Sequence, residues 1–362
     1  MISEIDLSQF FNCSPYALSQ KEKLSLLLPI MRELSGRHYE RCGPYKRALE
    51  ALKISVGEIE TLGQVPFLPV SLFKEFELSS IPREEIYKVM SSSGTSGQGV
   101  SKIFLDRKTS ALQSKILSKL MKELIGSSRL PMLIIDSPAT LQDRKAFSAR
   151  GAGILGFSMF GRDVTYALDV NMNVNYREIE DFCRRNQSQK IFIFGFTFMI
   201  WKHFVEPILR GKRCLDLRDA VVLHGGGWKK LADSAVDQDE FRQAIQEIIP
   251  GASVVNYYGM VEQTGSLYFE CEQGFLHAPI FSEVITRRPS GFDICEVGEP
   301  GVIEVMSVAA LSYPGHALLT DDIGTVWGLD GCACGRRGKF FSIHDRIPAA
   351  DVRGCSDTYS ID

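Results

Sequence analysis

No stretch of this sequence is apolar for long enough to cross a bilayer. The most hydrophobic run, Ile191 to Trp201, covers eleven residues, about half of what a spanning helix needs. The start, Met1-Ile2-Ser3-Glu4-Ile5-Asp6, lacks the basic region and apolar core of an export signal. Lys and Arg nowhere gather into a stripe, and a formal net charge of -3 gives no electrostatic footprint for nucleic acid. The Walker pattern G-x-x-x-x-G-K-[ST] is missing, which excludes the commonest phosphate loop. Nine cysteines are an odd number in a chain without an export signal. Disulfides are therefore not expected, and the thiols read as packing groups, metal ligands or reactive groups. These absences leave a globular chain, expected to be cytoplasmic. Its 362 residues suffice for one large or two modest domains.

What is present is a change of pattern along the chain. Residues 1–85 read as a helical entry, with apolar positions at helical spacing over Pro15–Leu34 and Tyr45–Glu60. Residues 86–265 alternate short apolar runs with amphipathic stretches. Strands are predicted at Pro131–Asp136, Lys190–Phe194, Ala220–Leu223 and Ser253–Tyr257, and helices at Lys108–Leu124, Tyr176–Gln187, Thr197–Leu209 and Trp228–Ile248. That alternation predicts an α/β fold with a mostly parallel sheet, whose ligands bind beyond the carboxyl ends of the strands. Residues 266–345 read as β-rich, with strands at His277–Arg288, Val302–Val308, Gly324–Gly328 and Lys339–Asp345 separated by Gly/Pro turns.

The most informative segment is Ser91-Ser92-Ser93-Gly94-Thr95-Ser96-Gly97-Gln98-Gly99-Val100-Ser101-Lys102. Glycines let backbone N–H groups converge on an anion, and hydroxyls add donors that can follow a moving oxyanion. Composition alone also allows a flexible linker, although apolar sequence flanks the segment on both sides. A second signal is Asn256-Tyr257-Tyr258-Gly259-Met260-Val261-Glu262-Gln263-Thr264-Gly265 at the end of a predicted strand. There a tyrosine can stack on a flat base and Glu262 can hold Mg²⁺ on a phosphate; a plain strand-end turn with a solvated glutamate is the alternative.

The order S-S-S-G-T-S-G, G-G-G after a strand, N-Y-Y-G-M-V-E-Q-T-G and then L-L-T-D-D-I-G resembles the adenylate-forming enzymes, which activate a carboxylic acid with ATP as an acyl-adenylate. Ser312-Tyr313-Pro314-Gly315-His316 and the ending Asp351-Val352-Arg353-Gly354-Cys355-Ser356-Asp357-Thr358-Tyr359 resemble the LuxE-type acyl-protein synthetases in particular, with phenylacetate-CoA ligases as more distant relatives. The resemblance runs from about Val65 to the end. It implies the large catalytic domain of that superfamily over residues 1–345, followed by an arm, residues 346–362. The lysine-bearing mobile C-terminal domain is expected to be absent, which argues against an ordinary CoA ligase.

Position by position, the resemblance implies that Ser92, Ser93, Gly94, Thr95, Ser96 and Gly97 cradle the ATP phosphates. It places Gly225, Gly226 and Gly227 in the adenine pocket with Tyr258 stacked on the base. Glu262 is implied as Mg²⁺ ligand, Thr264 as a neighbour of the α-phosphate, and Asp322 as acceptor for the ribose hydroxyls. Arg346 falls near the ribose and the hinge, although Asp345 stands where the family has glycine. In the first half-reaction charge builds on phosphate oxygens, which preorganised donors and Mg²⁺ stabilise.

Two sets of thiols remain. Cys355 lies in a polar arm beside Arg353, Ser356 and Asp357. The nearby cation and small neighbours favour an accessible, reactive thiol; an incidental surface cysteine is the alternative. The resemblance implies that Cys355 takes the acyl group as a thioester and offers it to a partner acyl reductase of LuxC type. Cys271, His277, Cys332 and Cys334 make a Cys₃His set of the kind that binds structural Zn²⁺, the alternative being ordinary cysteines in β-turns. Other cysteines read as packing residues, and the aromatic run around Phe196 and Thr197 as core with a pocket edge. Two rival functions stay open: a ligase that delivers the acyl group to coenzyme A or a carrier protein, and a non-catalytic nucleotide-binding subunit of a reductase.

Overall fold

The computed structural model describes residues 5–92, 100–141, 149–217, 219–228 and 236–347. The chain forms two compact units. Of the described residues, those up to Ser92, those from 100 to Glu123 and those from Gly259 onward make up the first, and those of Leu124–Tyr258 the second.

The first unit opens with α1 (Gln20–Arg41) and α2 (Gly43–Ala51). Helix α1 begins later than the periodicity predicts, because Ser19 and Glu22 form a capping box that fixes its first turn. Helix α2 ends at Ala51, well short of Glu60, where Lys53 turns to a left-handed φ of 56°. A short parallel pairing joins β1 (Leu68–Pro69) to a later strand, and α3 (Leu72–Glu75) follows. Strands β2 (Lys88–Ser91) and β3 (Lys102–Leu105) form an antiparallel hairpin. In the sequence the Ser/Gly segment lies between these two strands, and α4 (Arg107–Ile125) follows.

The second unit is a five-stranded parallel sheet in the order β5-β4-β6-β7-β8. Its elements are β4 (Leu130–Ile134), α5 (Ala149–Ser158), β5 (Gly161–Tyr166), α6 (Tyr176–Arg185), β6 (Ile191–Phe196), α7 (Thr197–Ile200), α8 (Glu206–Arg210), β7 (Ala220–Gly225), α9 (Gln238–Ile248) and β8 (Ser253–Tyr258). Strands β6 and β7 are buried along their whole length, as expected of central parallel strands covered on both faces. A π-helical segment, Trp201–Val205, joins α7 to α8. It precedes Pro207, which has no N–H to give and whose ring would collide with the carbonyl of His203; the wider turn accommodates it. Helix α9 starts at Gln238, where the Asp237 side chain accepts from Glu240 N, and not at Trp228 as the pattern predicts.

The remainder of the first unit is β-rich. Strands β9 (Tyr268–Phe269) and β10 (Leu276–His277) are short. Strands β11 (Ser282–Arg287), β12 (Pro300–Ser307), β13 (Ala317–Leu329) and β14 (Lys339–Arg346) build an antiparallel sheet ordered β10-β14-β13-β12-β11. Lys23 of α1 docks on it through buried Glu283 at 3.3 Å and the carbonyls of Ala278 and Ser282. Gln20 adds a bond to the same carboxylate. A charge buried this deeply is tolerable only with such partners.

Candidate functional site

Within the second unit, the glycines Gly225, Gly226 and Gly227 turn the chain at the carboxyl end of β7. Gly226 and Gly227 hold φ of 86° and 62°. A Cβ on Gly226 would lie 2.8 Å from the Phe196 ring, and one on Gly225 would lie 2.7 Å from the Tyr257 ring. Only glycine lets the turn sit this close to its aromatic floor. Tyr258, half-buried, is the last residue of β8 beside that turn. Behind it, Thr197 Oγ1 donates to Gly225 O at 3.1 Å and is 3.0 Å from His224 Nδ1. With its proton committed to the carbonyl, the hydroxyl accepts from the ring, which sets the Nδ1–H tautomer. Burial and nearby Arg242 hold His224 neutral, with a pKa pushed down to about 3.

Within the first unit, Glu262 and Gln263 occupy a single 3₁₀ turn, Val261–Gln263. The Thr264 hydroxyl closes it by donating to Val261 O at 2.8 Å. Gln263 Nε2 donates to Val305 O at 3.0 Å and Gly315 O at 2.8 Å, which locks the turn between β12 and the Ser312–His316 strap. Glu262 is buried, and burial raises its pKa, with Lys74 pulling the other way. A buried carboxylate of this kind gains from a cation. Asp322 and Arg346 are register partners on β13 and β14 and form an ion pair at 2.9 Å.

At the base of the β2–β3 hairpin, Ser92 Oγ accepts from Ser101 N at 2.9 Å, and Ser92 N donates to Ser101 O. The Ser92 hydroxyl proton is thus left for another acceptor. Ser93, Gly94, Thr95, Ser96 and Gly97 lie outside the described residues, as does Cys355. Gly225 to Gly227 and Tyr258 belong to the second unit; Ser92, Glu262, Thr264, Asp322 and Arg346 belong to the first.

Cys271, His277, Cys332 and Cys334 converge, with all four ligand atoms within 4.8 Å of one another. Cys271 Sγ lies 3.9 Å from Cys332 Sγ, and Cys334 Sγ lies 3.4 Å from His277 Nε2. A tetrahedral ion with Zn–S bonds of about 2.3 Å requires sulfurs about 3.8 Å apart, so the donor set fits zinc in both type and spacing. Left-handed Gly274 and Gly335 make the two tight turns that present the sulfurs. Arg336 N donates to Cys334 Sγ, and the Arg336 side chain covers Tyr16 while bonding to Phe269 O. Burial, with Arg336 and Lys23 nearby, holds His277 neutral at about 4, the form in which an imidazole ligates.

Sequence reasoning did not find the Gln263 clamp or the buried pair Asp136–Arg150, whose charges meet at 3.2 Å. A lone arginine inside the otherwise apolar Ala149–Ser158 segment was the available signal for the second.

The comparisons agree with this architecture. Residues 1–361 match the family model described as acyl-protein synthetase, LuxE. The chain is 26% identical to a long-chain-fatty-acid–luciferin-component ligase of Vibrio harveyi, with 98% of this chain and 92% of the relative covered. It is 23% identical to the enzyme of that name from Aliivibrio fischeri, over 90% and 85% of the two chains. Among solved structures, a 2-hydroxyisobutyryl-CoA ligase in complex with its acyl-adenylate superposes with a TM-score of 0.68. The identity is 15%, and 91% of this chain and 69% of that one are covered. At that identity the likeness fixes the fold alone, that of an adenylate-forming enzyme.

Proposed function

Because this chain belongs to the LuxE acyl-protein synthetase family, a family of acid–thiol ligases, we propose that it activates a carboxylic acid with ATP and carries the acyl group on its own Cys355. The carboxylate oxygen attacks the α-phosphorus, the bond to pyrophosphate breaks, and an acyl-adenylate forms. The Cys355 thiol then loses its proton and attacks the acyl carbon; AMP leaves and a thioester remains. The relatives' names point to a long-chain fatty acid. The thioester is passed to a partner acyl reductase, and the chain works in the cytoplasm. Among the described residues no helix is long and apolar enough to cross a membrane.

In this reading the hydroxyls and N–H groups of Ser92, Ser93, Gly94, Thr95, Ser96 and Gly97 hold the leaving pyrophosphate. The turn Gly225–Gly227 and Tyr258 take the base, Asp322 and Arg346 the ribose, and Thr264 the α-phosphate. Glu262 holds Mg²⁺, which supplies charge neutralisation on the phosphate oxygens. The Cys₃His cluster holds a closed, structural Zn²⁺ that pins the β13–β14 turn to the β9–β10 turn. The observation that carries the reading is the whole-length family match, and the glycine turn at the carboxyl end of β7, beside Tyr258, supports it. Exchange of labelled pyrophosphate into ATP, dependent on added fatty acid, is the expected activity. Its absence across a panel of carboxylic acids would favour a non-catalytic nucleotide-binding subunit.

A further inference from the structure

Gln263 follows Glu262 in the chain and is 2% exposed, and the proposed chemistry gives it no part. Its amide nitrogen is nonetheless fully engaged. Nε2 donates to Gly315 O at 2.8 Å and to Val305 O at 3.0 Å. An amide NH₂ carries two donors, so both are committed and the side chain has one orientation. The two carbonyls belong to different pieces of the fold, the Ser312–His316 strap and β12. Replacing this side chain by an apolar one would leave both carbonyls buried without their donors.

The strap is anchored along its length, and every residue of it is buried. Ser312 Oγ donates to Phe104 O of β3 at 2.8 Å, and Ser312 O accepts from Ser80 N at 2.8 Å. Tyr313 packs edge-on against Phe73 of α3, and its hydroxyl accepts from Gln113 of α4 at 3.4 Å. His316 O accepts from Ser307 N at 2.9 Å, and His316 Nε2 lies 3.0 Å from Ser35 Oγ of α1. A Cβ on Gly315 would run into the Tyr313 ring and fall 2.9 Å from Glu262 O. The strap thus packs directly on the Glu262 backbone, and Gln263 bonds the two together. A single 3₁₀ turn has little stability of its own, so anchors of this kind decide where Glu262 points. A carboxylate that holds a metal ion must be placed to within a few tenths of an ångström. Groups that orient a metal ligand are typically worth about 10–100-fold in metal affinity.

We propose that Gln263 is a positioning residue for the divalent ion: its two bonds hold the Glu262 carboxylate where it meets Mg²⁺ on the ATP phosphates. The inference rests on the adenylation reading and on the role of Glu262 within it. It is tested by isothermal titration of the full chain with ATP, once with excess Mg²⁺ and once with chelator, well below the melting point. The wild type is expected to bind ATP more tightly with Mg²⁺ than without. Gln263→Met keeps the length of the side chain and removes both donors. It is expected to lose about 10–100-fold in affinity for ATP with Mg²⁺ and to bind metal-free ATP as the wild type does. Should that variant not fold, Gln263→Asn, one methylene shorter with its amide kept, is read in the same way. Ile245→Val weakens the second unit's core, where Ile245 is 1% exposed, without touching the clamp, and should leave both affinities unchanged. A Gln263 variant that keeps the whole Mg²⁺-dependent gain overturns the proposal. So does one that loses affinity equally with and without Mg²⁺, or an equal loss in Ile245→Val, since Gln263 would then only brace the fold. An undiminished gain in Glu262→Gln would instead contradict Glu262 as the metal ligand, and a wild type that binds no ATP would contradict the adenylation reading beneath both.

Discussion

Glu262 is the residue on which the proposed chemistry most depends. Its turn is fixed on three sides, by the Thr264 hydroxyl and by the two carbonyls that Gln263 grips. Replacing it with Gln keeps the shape and removes the charge. Glu262→Gln is expected to cut pyrophosphate exchange about 10²–10³-fold with little change in melting temperature; unchanged exchange would remove Glu262 from the metal site. A different pair of residues adds to the response to acid, beside the buried His224 and His277. His38 and His316 are fully buried with ring centres 5.0 Å apart. His38 is bonded to Ser80 Oγ and Ala310 O, and His316 Nε2 to Ser35 Oγ. Ser35 donates to Met31 O, so it accepts from His316, whose Nδ1 is left buried without a partner. Tyr45 packs edge-on against both rings.

Burial pushes His38 well below its ordinary range, with His316, Arg37 and Arg41 adding repulsion, and burial pushes His316 down to about 3. Both pKa values are depressed in the folded state. Stability is therefore complete above the unfolded value of about 6.5 and is lost as pH falls from there toward 3. The two uncompensated protons of this pair contribute up to about 2.7 kcal/mol per pH unit to the slope. Urea titrations from pH 7 to pH 4 should show this fall, and His316→Gln should make it shallower. An equal slope in the variant would place the acid sensitivity elsewhere.

At the scale of elements, the central strands of the parallel sheet were legible because their buried faces produce short continuous apolar runs, such as Ile191 to Phe196. Strand β5 was not. It reads Gly-Arg-Asp-Val-Thr-Tyr with three consecutive exposed residues, and Asp163 bends it with a φ of 43°, so neither alternation nor hydrophobicity marks it. Helix ends were misplaced wherever a cap overrode periodicity, as at Ser19 and Asp237. The four metal-ligand candidates were legible as residue types, but only the fold shows that turns 55 residues apart in sequence, from His277 to Cys332, present them to one point. Protein purified without chelator is expected to hold about one zinc per chain. Stripping it, or making Cys334→Ser, should lower the melting temperature while leaving acid-dependent pyrophosphate exchange unchanged well below the melting point. A metal-free preparation with an undiminished melting temperature would make the cluster a set of packed thiols.

At the scale of the molecule, the motif order read from the sequence and the whole-length family match converge on one assignment. Composition could not have given it, because apolar content and charge are ordinary for any globular enzyme. The nature of the acid was the least legible property, because aromatic and aliphatic pockets draw on the same residue types. The central claim is that the chain is its own acyl acceptor. It is tested most directly by the intact mass of the protein after incubation with ATP, Mg²⁺ and a mixture of acids, followed by digestion to locate the adduct. A hydroxylamine-labile acyl adduct on the peptide holding Cys355, absent from Cys355→Ser, is the predicted result. An unmodified chain that turns over acid and ATP only when coenzyme A or a carrier thiol is supplied would contradict it.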